Sequence, residues 1–340
     1  MAASFVNDID RIIKALTEGL SQRQIDVLTR RFSLKGGNRL TLAAIGKEFN
    51  ITRERVRQIE AAALKALRSK ATVAAKQILD EARTHLVRWG GVRRHDFLVS
   101  DLSGNLPKNK AEVLSSKLHF IFLAAGEPQL AKEDDNWEHF WHLDDSYKKK
   151  AIAFVKELEN ELEANKVKLL NQEYALGHSS DPVKANFASL YKSFGQNTFG
   201  DFGLRHWSEI SPKTVCDKAY LVLKKHQKPL HFRQLAEKIN SLKIDRKKVN
   251  VQTVHNELIK DNRFVLVGRG IYGLKEFGFE PGTAREVIAS LLKSKGPLHS
   301  HQVVSLVKEK RFFKENTILL NLQNRRYFKK LSDGRYTAQS

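Results

Sequence analysis

A capping signal followed by a short apolar stripe constrains the N-terminal fold of this chain most strongly. Ser21 and Gln24 have the spacing of a capping box, and Ile25, Leu28 and Phe32 then recur at helical intervals. The pattern predicts a helix that starts at Ser21 and buries this stripe.

A pair of glycines separates this helix from two further ones. Gly36 and Gly37 break the chain, and Thr41 can cap a second helix that runs through Phe49. After a turn at residues 50–51, Thr52 can cap a third helix. The inward faces of these two helices are apolar: Leu42, Ile45, Phe49, Val56, Ile59 and Ala63. This arrangement is typical of a helix-turn-helix.

The third helix leaves four polar side chains on its outer side near its N-terminus: Arg53, Glu54, Arg57 and Gln58. Arginine can donate to guanine O6 and N7, glutamine can pair with adenine, and glutamate can accept from cytosine N4. A recognition helix meets bases at this position. The alternative is a solvated charged face without a ligand.

The segment ITRERVRQIEAAALKALR resembles region 4 of the primary bacterial RNA polymerase sigma factors, over about 50 residues (20–69). Region 4 reads the promoter −35 element and docks on the polymerase flap. The resemblance implies that Arg53, Glu54, Arg57 and Gln58 face bases or adjoining phosphates. It also implies contacts to the DNA backbone by Arg23, Arg31, Thr41 and Lys47. We add Arg55 to this set of predicted backbone contacts.

Two departures from that family bear on function. The long helix carries alanine at positions 61–63, where relatives usually have a basic residue among the alanines. Only 19 residues precede Leu20, which leaves no room for the promoter-melting regions of a full sigma factor. We therefore do not expect this chain to initiate transcription alone.

Length and composition favour several small domains. With 340 residues and 41% hydrophobic residues, the chain suits about two or three ordinary domains, or four to five small ones. The N-terminus lacks the features of a signal peptide, and no apolar run is long enough to span a membrane. We expect no membrane partner and a cytoplasmic, nucleoid-associated location. Cys216 is the only cysteine, which excludes an internal disulfide, and we interpret it as a core residue.

The net charge of +21 is concentrated at the two ends. Residues 1–70 carry 14 Lys and Arg against 7 Asp and Glu, and residues 213–340 carry 27 against 11. Residues 71–212 carry 18 against 20. Because basic modules attract phosphates, we expect double-stranded DNA as a partner at both ends, and a middle that packs on itself or on protein.

Residues 214–276 and 284–338 are two copies of one pattern. Each has an apolar helix, a Pro-Leu-His sequence before a second helix, a third helix and a glycine-tipped hairpin. Three helices and a hairpin describe a winged helix. The first copy resembles the HARE-type winged helix, found in the delta subunit of bacterial RNA polymerase, in restriction endonucleases and in chromatin regulators. KAYLVLKKHQKPLHFRQLAEKIN and RFVLVGRGIYGL carry this resemblance, over about 63 residues.

Both copies contain candidate contacts to DNA phosphates or to polymerase. In the first they are Lys247, Lys248, Gln252, His255, Asn256 and Arg269. In the second they are Arg325, Arg326, Lys329, Lys330 and Arg335. A solvated face is an equal alternative for the first copy, since winged helices also dock on proteins. We expect Tyr327, Phe328 and Tyr336 to be core groups rather than base-stacking ones.

The middle of the chain is divided into two predicted parts. Residues 72–145 have the pattern of a possible winged helix, with a helix to Trp89, a helix from Lys110 and strands that end at Trp141. Residues 146–212 form a predicted helical connector, with a linker at 177–182. A stripe in its long helix is core or, alternatively, a short seam for a partner helix: Ala151, Val155, Leu158 and Leu162. An aromatic cluster should pack on the following unit: Phe202, Leu204 and Trp207.

Motifs for catalysis are missing from the sequence. No Glu-x-Lys occurs, the only Asp-x-Lys is at residues 245–247, and no P-loop is present, which argues against a nuclease and against ATP-driven work. The histidines form no HExxH pair, and we interpret His139 and His142 as packing groups. We predict no enzyme activity, no cofactor and no metal.

The predicted fold class is mainly α with small β-hairpin wings, as an N-terminal helix-turn-helix followed by a string of winged-helix modules. The predicted domains are 1–71, 72–145, 146–212, 213–280 and 281–340. The predicted function is a sequence-specific transcription factor that reads a −35-like element and contacts RNA polymerase. The alternatives are a delta-like accessory subunit that acts through protein contacts, and a phage-type factor that redirects host polymerase.

Overall fold

The computed structural model describes residues 2–104, 108–171, 173–174, 181–242, 244, 248–279, 282–310 and 313–339. These residues form 15 α-helices, ten short strands and one 3-10 turn, which confirms the predicted fold class. The chain divides into two compact units, residues 1–194 (unit 1) and 195–340 (unit 2). Within the described residues, no helix is both long and apolar enough to cross a membrane.

The first four helices of unit 1 contain the predicted helix-turn-helix. They are α1 (Ala2–Thr17), α2 (Gln22–Phe32), α3 (Leu42–Glu48) and α4 (Arg53–Ala74). The three predicted caps are present: Ser21 forms a capping box with Gln24, and the hydroxyls of Thr41 and Thr52 accept from backbone N–H groups. Each cap satisfies a donor that the helix itself leaves unpaired.

The next six elements have the order of a winged helix. They are α5 (Lys76–Arg88), β1 (Val92–Arg94), α6 (His95–Ser103), α7 (Lys108–Ala125), β2 (Gln129–Ala131) and β3 (Phe140–His142). The strands form one antiparallel sheet in the order β1–β3–β2. Residues 72–145, for which a winged helix was predicted, therefore contain three helices and a three-stranded sheet.

A single hydrophobic core joins this winged helix to the helix-turn-helix. Leu118 and Phe122 of α7 belong to the same buried cluster as Phe32 of α2 and Leu67 of α4. Burial of each large apolar side chain stabilises the fold by about 1.5–3 kcal/mol. The predicted boundary between residues 71 and 72 thus lies inside one compact unit.

Two further helices cover the other side of the β1–β3–β2 sheet. They are α8 (Asp145–Leu170) and α9 (Pro182–Ser189). Ala151 and Phe187 pack with Val92 and Phe140 of the sheet. The whole predicted stripe of α8 is buried, which confirms its interpretation as core: Ala151, Val155, Leu158 and Leu162. Of the predicted linker at 177–182, residues 177–180 lie outside the described residues.

A small hairpin, whose first residue is the last of unit 1, precedes the first copy of the repeat. The hairpin consists of β4 (Phe194–Gln196) and β5 (Phe202–Leu204). The copy consists of α10 (Val215–His226), β6 (Leu230–His231), α11 (Phe232–Ser241), α12 (Val251–Lys260), β7 (Phe264–Gly268) and β8 (Ile271–Leu274), followed by the 3-10 turn Lys275–Phe277. Its sheet has the order β6–β8–β7, which is the arrangement found in unit 1.

The predicted aromatic cluster before this copy is partly core. Leu204 and Trp207 are buried, whereas Phe202 is half-buried. Asp201 lies 2.6 Å from the Lys225 ammonium of α10, so the segment is tied to the winged helix that follows it. Cys216 is a buried free thiol whose pKa is raised to about 11 by burial, which agrees with its interpretation as a core residue.

The second copy consists of α13 (Ala284–Lys295), α14 (Ser300–Lys310), α15 (Glu315–Leu322), β9 (Phe328–Lys330) and β10 (Tyr336–Ala338). Leu298 forms an antiparallel bridge to Tyr336 and takes the place of the first strand. Phe328 is 2% exposed, and Tyr327 and Tyr336 pack against its cluster, so these aromatics are core groups as predicted.

Two glycines with similar backbone conformations allow the packing at Gly91 to be tested. Gly91 (φ +82°) has no room for a side chain, because a Cβ atom would lie 2.1 Å from Cδ1 of Tyr147. Gly37 (φ +88°) has open space around it. Gly37→Ala should lower the free energy of unfolding by about 1–2 kcal/mol through backbone strain alone. Gly91→Ala should lower it by about 3 kcal/mol or more, since the Tyr147 ring must also move.

Chemical denaturation of the full-length variants, followed by circular dichroism, measures this difference. Equal losses for Gly91→Ala and Gly37→Ala would contradict the close packing of Gly91 against Tyr147.

Candidate nucleic-acid interface

Four side chains at the start of α4 form an exposed edge, here called the reading edge: Arg53, Glu54, Arg57 and Gln58. All four are exposed, as predicted, while Val56 between them is fully buried. Val56 packs with Val27 of α2 and Ile45 of α3. The small core of the helix-turn-helix therefore determines which side of α4 faces outward.

The turn between α3 and α4 positions the reading edge through close backbone contacts. The Ile51 N–H donates to the Gly46 carbonyl oxygen at 2.9 Å, and Asn50 has a left-handed φ of +54°. A Cβ atom on Gly46 would lie 2.7 Å from the Ile51 carbonyl oxygen. Asparagine tolerates the left-handed conformation better than most residues, and only glycine fits at position 46 without a shift.

Two side chains of the reading edge are paired with each other. The Arg57 Nε and Nη2 groups donate to the Glu54 carboxylate at 2.9 and 2.7 Å. This hydrogen bond lowers the pKa of Glu54, so the carboxylate is ionised at neutral pH. The Arg55 Nη1 group donates to the Gln58 Oε1 atom at 3.1 Å. The pairs orient these side chains before any ligand binds. Sequence reasoning missed them, although a spacing of three residues on a helix is their usual signal.

The residues predicted to contact the DNA backbone differ in their surroundings. Arg23, Lys47 and Arg55 are exposed, and the Thr41 hydroxyl accepts from the Ala44 N–H at the start of α3. Arg31 is half-buried.

The Arg31 guanidinium contacts other residues of the helix-turn-helix. Its Nη1 group donates to the Leu40 carbonyl oxygen at 3.2 Å, and its Nε atom lies 3.6 Å from the Glu60 carboxylate. This geometry favours a structural role for Arg31, whereas Arg23, Lys47 and Arg55 are accessible to phosphates.

The described candidate contacts in the first winged helix of unit 2 lie just before α12, on α12 and at the tip of the β7–β8 hairpin. Lys248, Gln252, Asn256 and Arg269 are exposed, and Lys247 lies outside the described residues. His255 is half-buried and stacks on Phe232, with ring centroids 4.4 Å apart. His255 therefore contributes to packing as well as to the surface.

Helix α12 also exposes a large apolar side chain in line with two of its polar ones. Ile259 follows Gln252 and Asn256 at helical spacing and is 63% exposed. Leu266 on the neighbouring strand β7 is 50% exposed. Large exposed apolar side chains are more typical of a protein-binding surface than of a phosphate-binding one.

The second winged helix of unit 2 exposes a basic group around its wing: Arg325, Arg326, Lys329, Lys330 and Arg335. The Arg335 guanidinium is paired with the Asp333 carboxylate, with Nη2 and Oδ2 2.6 Å apart. The other four side chains place positive charge on one end of the module, and their role as DNA or polymerase contacts is a prediction.

The close approach of Gly46 to the turn generates a test of the geometry. Gly46→Ala should push α3 away from the N-terminus of α4, and lower the free energy of unfolding by about 1–3 kcal/mol through overpacking. Affinity for a preferred duplex should fall in the same variant, because the turn no longer holds the reading edge.

Ala43→Ser, at an exposed position on the same helix, should change neither the free energy of unfolding nor the affinity. Thermal melts and fluorescence anisotropy would measure both, and full affinity in Gly46→Ala would count against this role of the turn.

Two family models match the chain. Residues 18–69 match the model for sigma-70, region 4. Residues 213–277 match the model for the HARE-HTH domain, a helix-turn-helix domain named in part after ASXL and restriction endonuclease. The matches confirm both resemblances and place the reading edge within the region 4 segment.

The curated relatives match over the N-terminal part only. The RNA polymerase sigma factor SigA of Clostridium acetobutylicum is 49% identical over 67 residues, which are 20% of this chain and 18% of that protein. SigA of a Nostoc species is 48% identical over 61 residues, 18% of this chain and 15% of the relative. RpoD of Neisseria gonorrhoeae is 39% identical over 66 residues, 19% of this chain and 10% of the relative.

This chain thus spans less than a fifth of the length of these sigma factors. No solved structure matches the chain. The similarity therefore identifies two modules of transcription-related proteins in one chain: a sigma-70 region 4 helix-turn-helix and a HARE-type winged helix.

Proposed function

We propose that this protein is a sequence-specific DNA-binding transcription factor whose region 4 module reads a −35-like promoter element. The observation that carries the proposal is the reading edge, where four side chains able to recognise bases are exposed on the first turns of α4. The match to region 4 supports the same assignment.

The electrostatics of the module support DNA as the ligand. Arg23, Lys47 and Arg55 are exposed on the helices that flank the reading edge, and the N-terminal 70 residues carry twice as many basic as acidic residues. Such side chains add a salt-dependent affinity for phosphates that carries no sequence information. Specificity then depends on the reading edge.

RNA polymerase is the proposed protein partner, and the structure constrains where it binds. The apolar faces of α2 and α4 are covered by α7, so these faces are not open to a partner in this conformation. A contact with polymerase therefore uses other surfaces of unit 1 or the winged helices of unit 2.

Arg57→Ala tests whether the reading edge recognises bases. The variant should lose about 1–3 kcal/mol of binding free energy on a duplex that the wild-type protein has selected from random sequence. Binding to unselected DNA should change little. Lys65→Ala is the matched control, because it removes one positive charge from an exposed position about 12 Å further along the same helix.

Equal losses of Arg57→Ala on selected and unselected duplexes would make Arg57 a phosphate contact. Comparison of the selected sequences with promoter −35 elements tests the finer part of the proposal. Selection of no common sequence by the wild-type protein would overturn it.

Two exposed apolar residues of the HARE-type module favour a second candidate function, that of a polymerase-associated accessory subunit. Ile259 of α12 and Leu266 of β7 are exposed in the same module as the side chains predicted to contact phosphates. Burial of both at a protein interface would stabilise a complex, whereas exposure to a DNA backbone would not. In this case the HARE-type module binds protein, and DNA binding is secondary.

Ile259→Asp tests this candidate in the full-length chain. Retention of bacterial core RNA polymerase in the absence of DNA should fall by about tenfold, equivalent to about 1.4 kcal/mol, because the charge must be buried at the interface. Val167→Asp, at a strongly exposed apolar position of α8 and outside the winged helices, is the matched control. Unchanged retention in Ile259→Asp, or no retention by the wild-type protein, would remove the support for this function.

A further inference from the structure

Three histidines from distant parts of the sequence meet in the winged helix of unit 1. His95 is the first residue of α6, His119 lies in α7, and His139 directly precedes β3. One ring nitrogen of each residue lies within 4.8 Å of the corresponding atoms of the other two. The ring centroids are 4.9–5.4 Å apart. The fold, and not the sequence spacing, brings the three imidazoles together.

Two of these rings contain a buried nitrogen without a hydrogen-bond partner among the described residues. These atoms are Nδ1 of His119 and Nε2 of His139. His119 is 9% exposed, so bulk water does not replace the missing partner. Buried polar atoms are nearly always paired, and two unpaired atoms in one cluster point to a ligand that binds both.

The third ring has partners that are compatible with such a ligand. The Trp141 indole N–H donates to His95 Nδ1 at 2.8 Å, and His95 Nε2 lies 2.7 Å from the Ser115 hydroxyl oxygen. Coordination through Nδ1 would displace the Trp141 N–H from this atom, while the Nε2–H group would keep Ser115 as its acceptor. Histidines that bind metals commonly donate their other N–H to a second protein group in this way.

The surroundings of the three rings disfavour protonation of the imidazoles. Burial, followed by repulsion from neighbouring cationic groups, lowers the pKa of His95 to about 3 and that of His119 to about 2. Burial also lowers the pKa of His139. Neutral imidazoles retain the lone pair that a metal ion requires. Arg39 opposes the entry of a cation, whereas the Asp96 and Glu133 carboxylates favour it.

We propose that His95, His119 and His139 form a binding site for one divalent transition metal ion, with Zn²⁺ as the best fit. Imidazole nitrogens suit Zn²⁺ and its neighbours Co²⁺ and Ni²⁺, whereas Mg²⁺ and Ca²⁺ prefer oxygen ligands. This site departs from the prediction that the protein binds no metal. His142, which the sequence analysis considered together with His139, is not part of the cluster.

The position of the site indicates a structural role. The ion would join α6, α7 and the residue before β3, and the low exposure of His95 and His119 leaves little access for a substrate. Because α7 packs on α4, the ion would also stabilise the support of the reading edge. Metal binding of this kind is coupled to folding.

Titration of the full-length protein with Co²⁺, after removal of metal with a chelator, tests the proposal. One equivalent of Co²⁺ should give visible d–d absorption bands, and Zn²⁺ should abolish them by competition. Zn²⁺ should also raise the melting temperature of the wild-type protein. His139→Gln, at a half-buried position, and His119→Gln should weaken binding by more than about tenfold, since loss of a ligand costs at least as much as loss of an outer partner.

His142→Gln is the matched control, because His142 is buried in the same sheet but lies outside the cluster. It should retain both the Co²⁺ bands and the stabilisation by Zn²⁺. If His119→Gln fails to fold, His139→Gln still decides the outcome. Failure of the wild-type protein to bind Co²⁺ or Zn²⁺ would overturn the proposal. So would binding that persists in His139→Gln but is lost in a double variant of the stacked His299 and His301 pair.

Discussion

The packing of α7 against α4 determines which side of the long helix α4 stays open to solvent. Leu118 and Phe122 of α7 share a core with Leu67 of α4, so one side of α4 is buried. The small cluster of Val27, Ile45 and Val56 buries a second side of α4. The remaining outer side, near the N-terminus of α4, carries the reading edge. The same contact places the helix-turn-helix and a winged helix in one compact unit.

Local signals in the sequence were sufficient to predict the individual elements. The capping residues Ser21, Thr41 and Thr52 mark helix starts because each supplies a bond that the backbone lacks, and such bonds depend on neighbouring residues only. The exposed positions of the reading edge followed from helical periodicity around Val56. The repeat in unit 2 predicted two winged helices for a similar reason, since each copy repeats the same order of apolar and turn residues. The domain boundaries and the roles of the site residues stay predictions.

Contacts between distant segments were beyond the sequence alone. The burial of α7 depends on at least four other helices (α1, α2, α4 and α6), and the core that they share crosses the predicted boundary at residues 71–72. Arg31 contacts the Leu40 carbonyl oxygen and the Glu60 carboxylate, and no rule of sequence spacing connects Arg31 with these two residues. The histidine cluster was missed for the same reason, because His95, His119 and His139 are separated by 20 residues or more along the chain.

The three winged helices share one strand arrangement, but their third helices differ in how much of their surface is buried. In unit 2, α12 and α15 present polar and apolar side chains to solvent, whereas residues 116–122 of α7 are buried without interruption. Residues 116–122 therefore leave this part of α7 no free side with which to enter a groove. The winged helix of unit 1 therefore serves as a scaffold: much of its third helix supports the helix-turn-helix from inside a common core instead of forming a surface of its own.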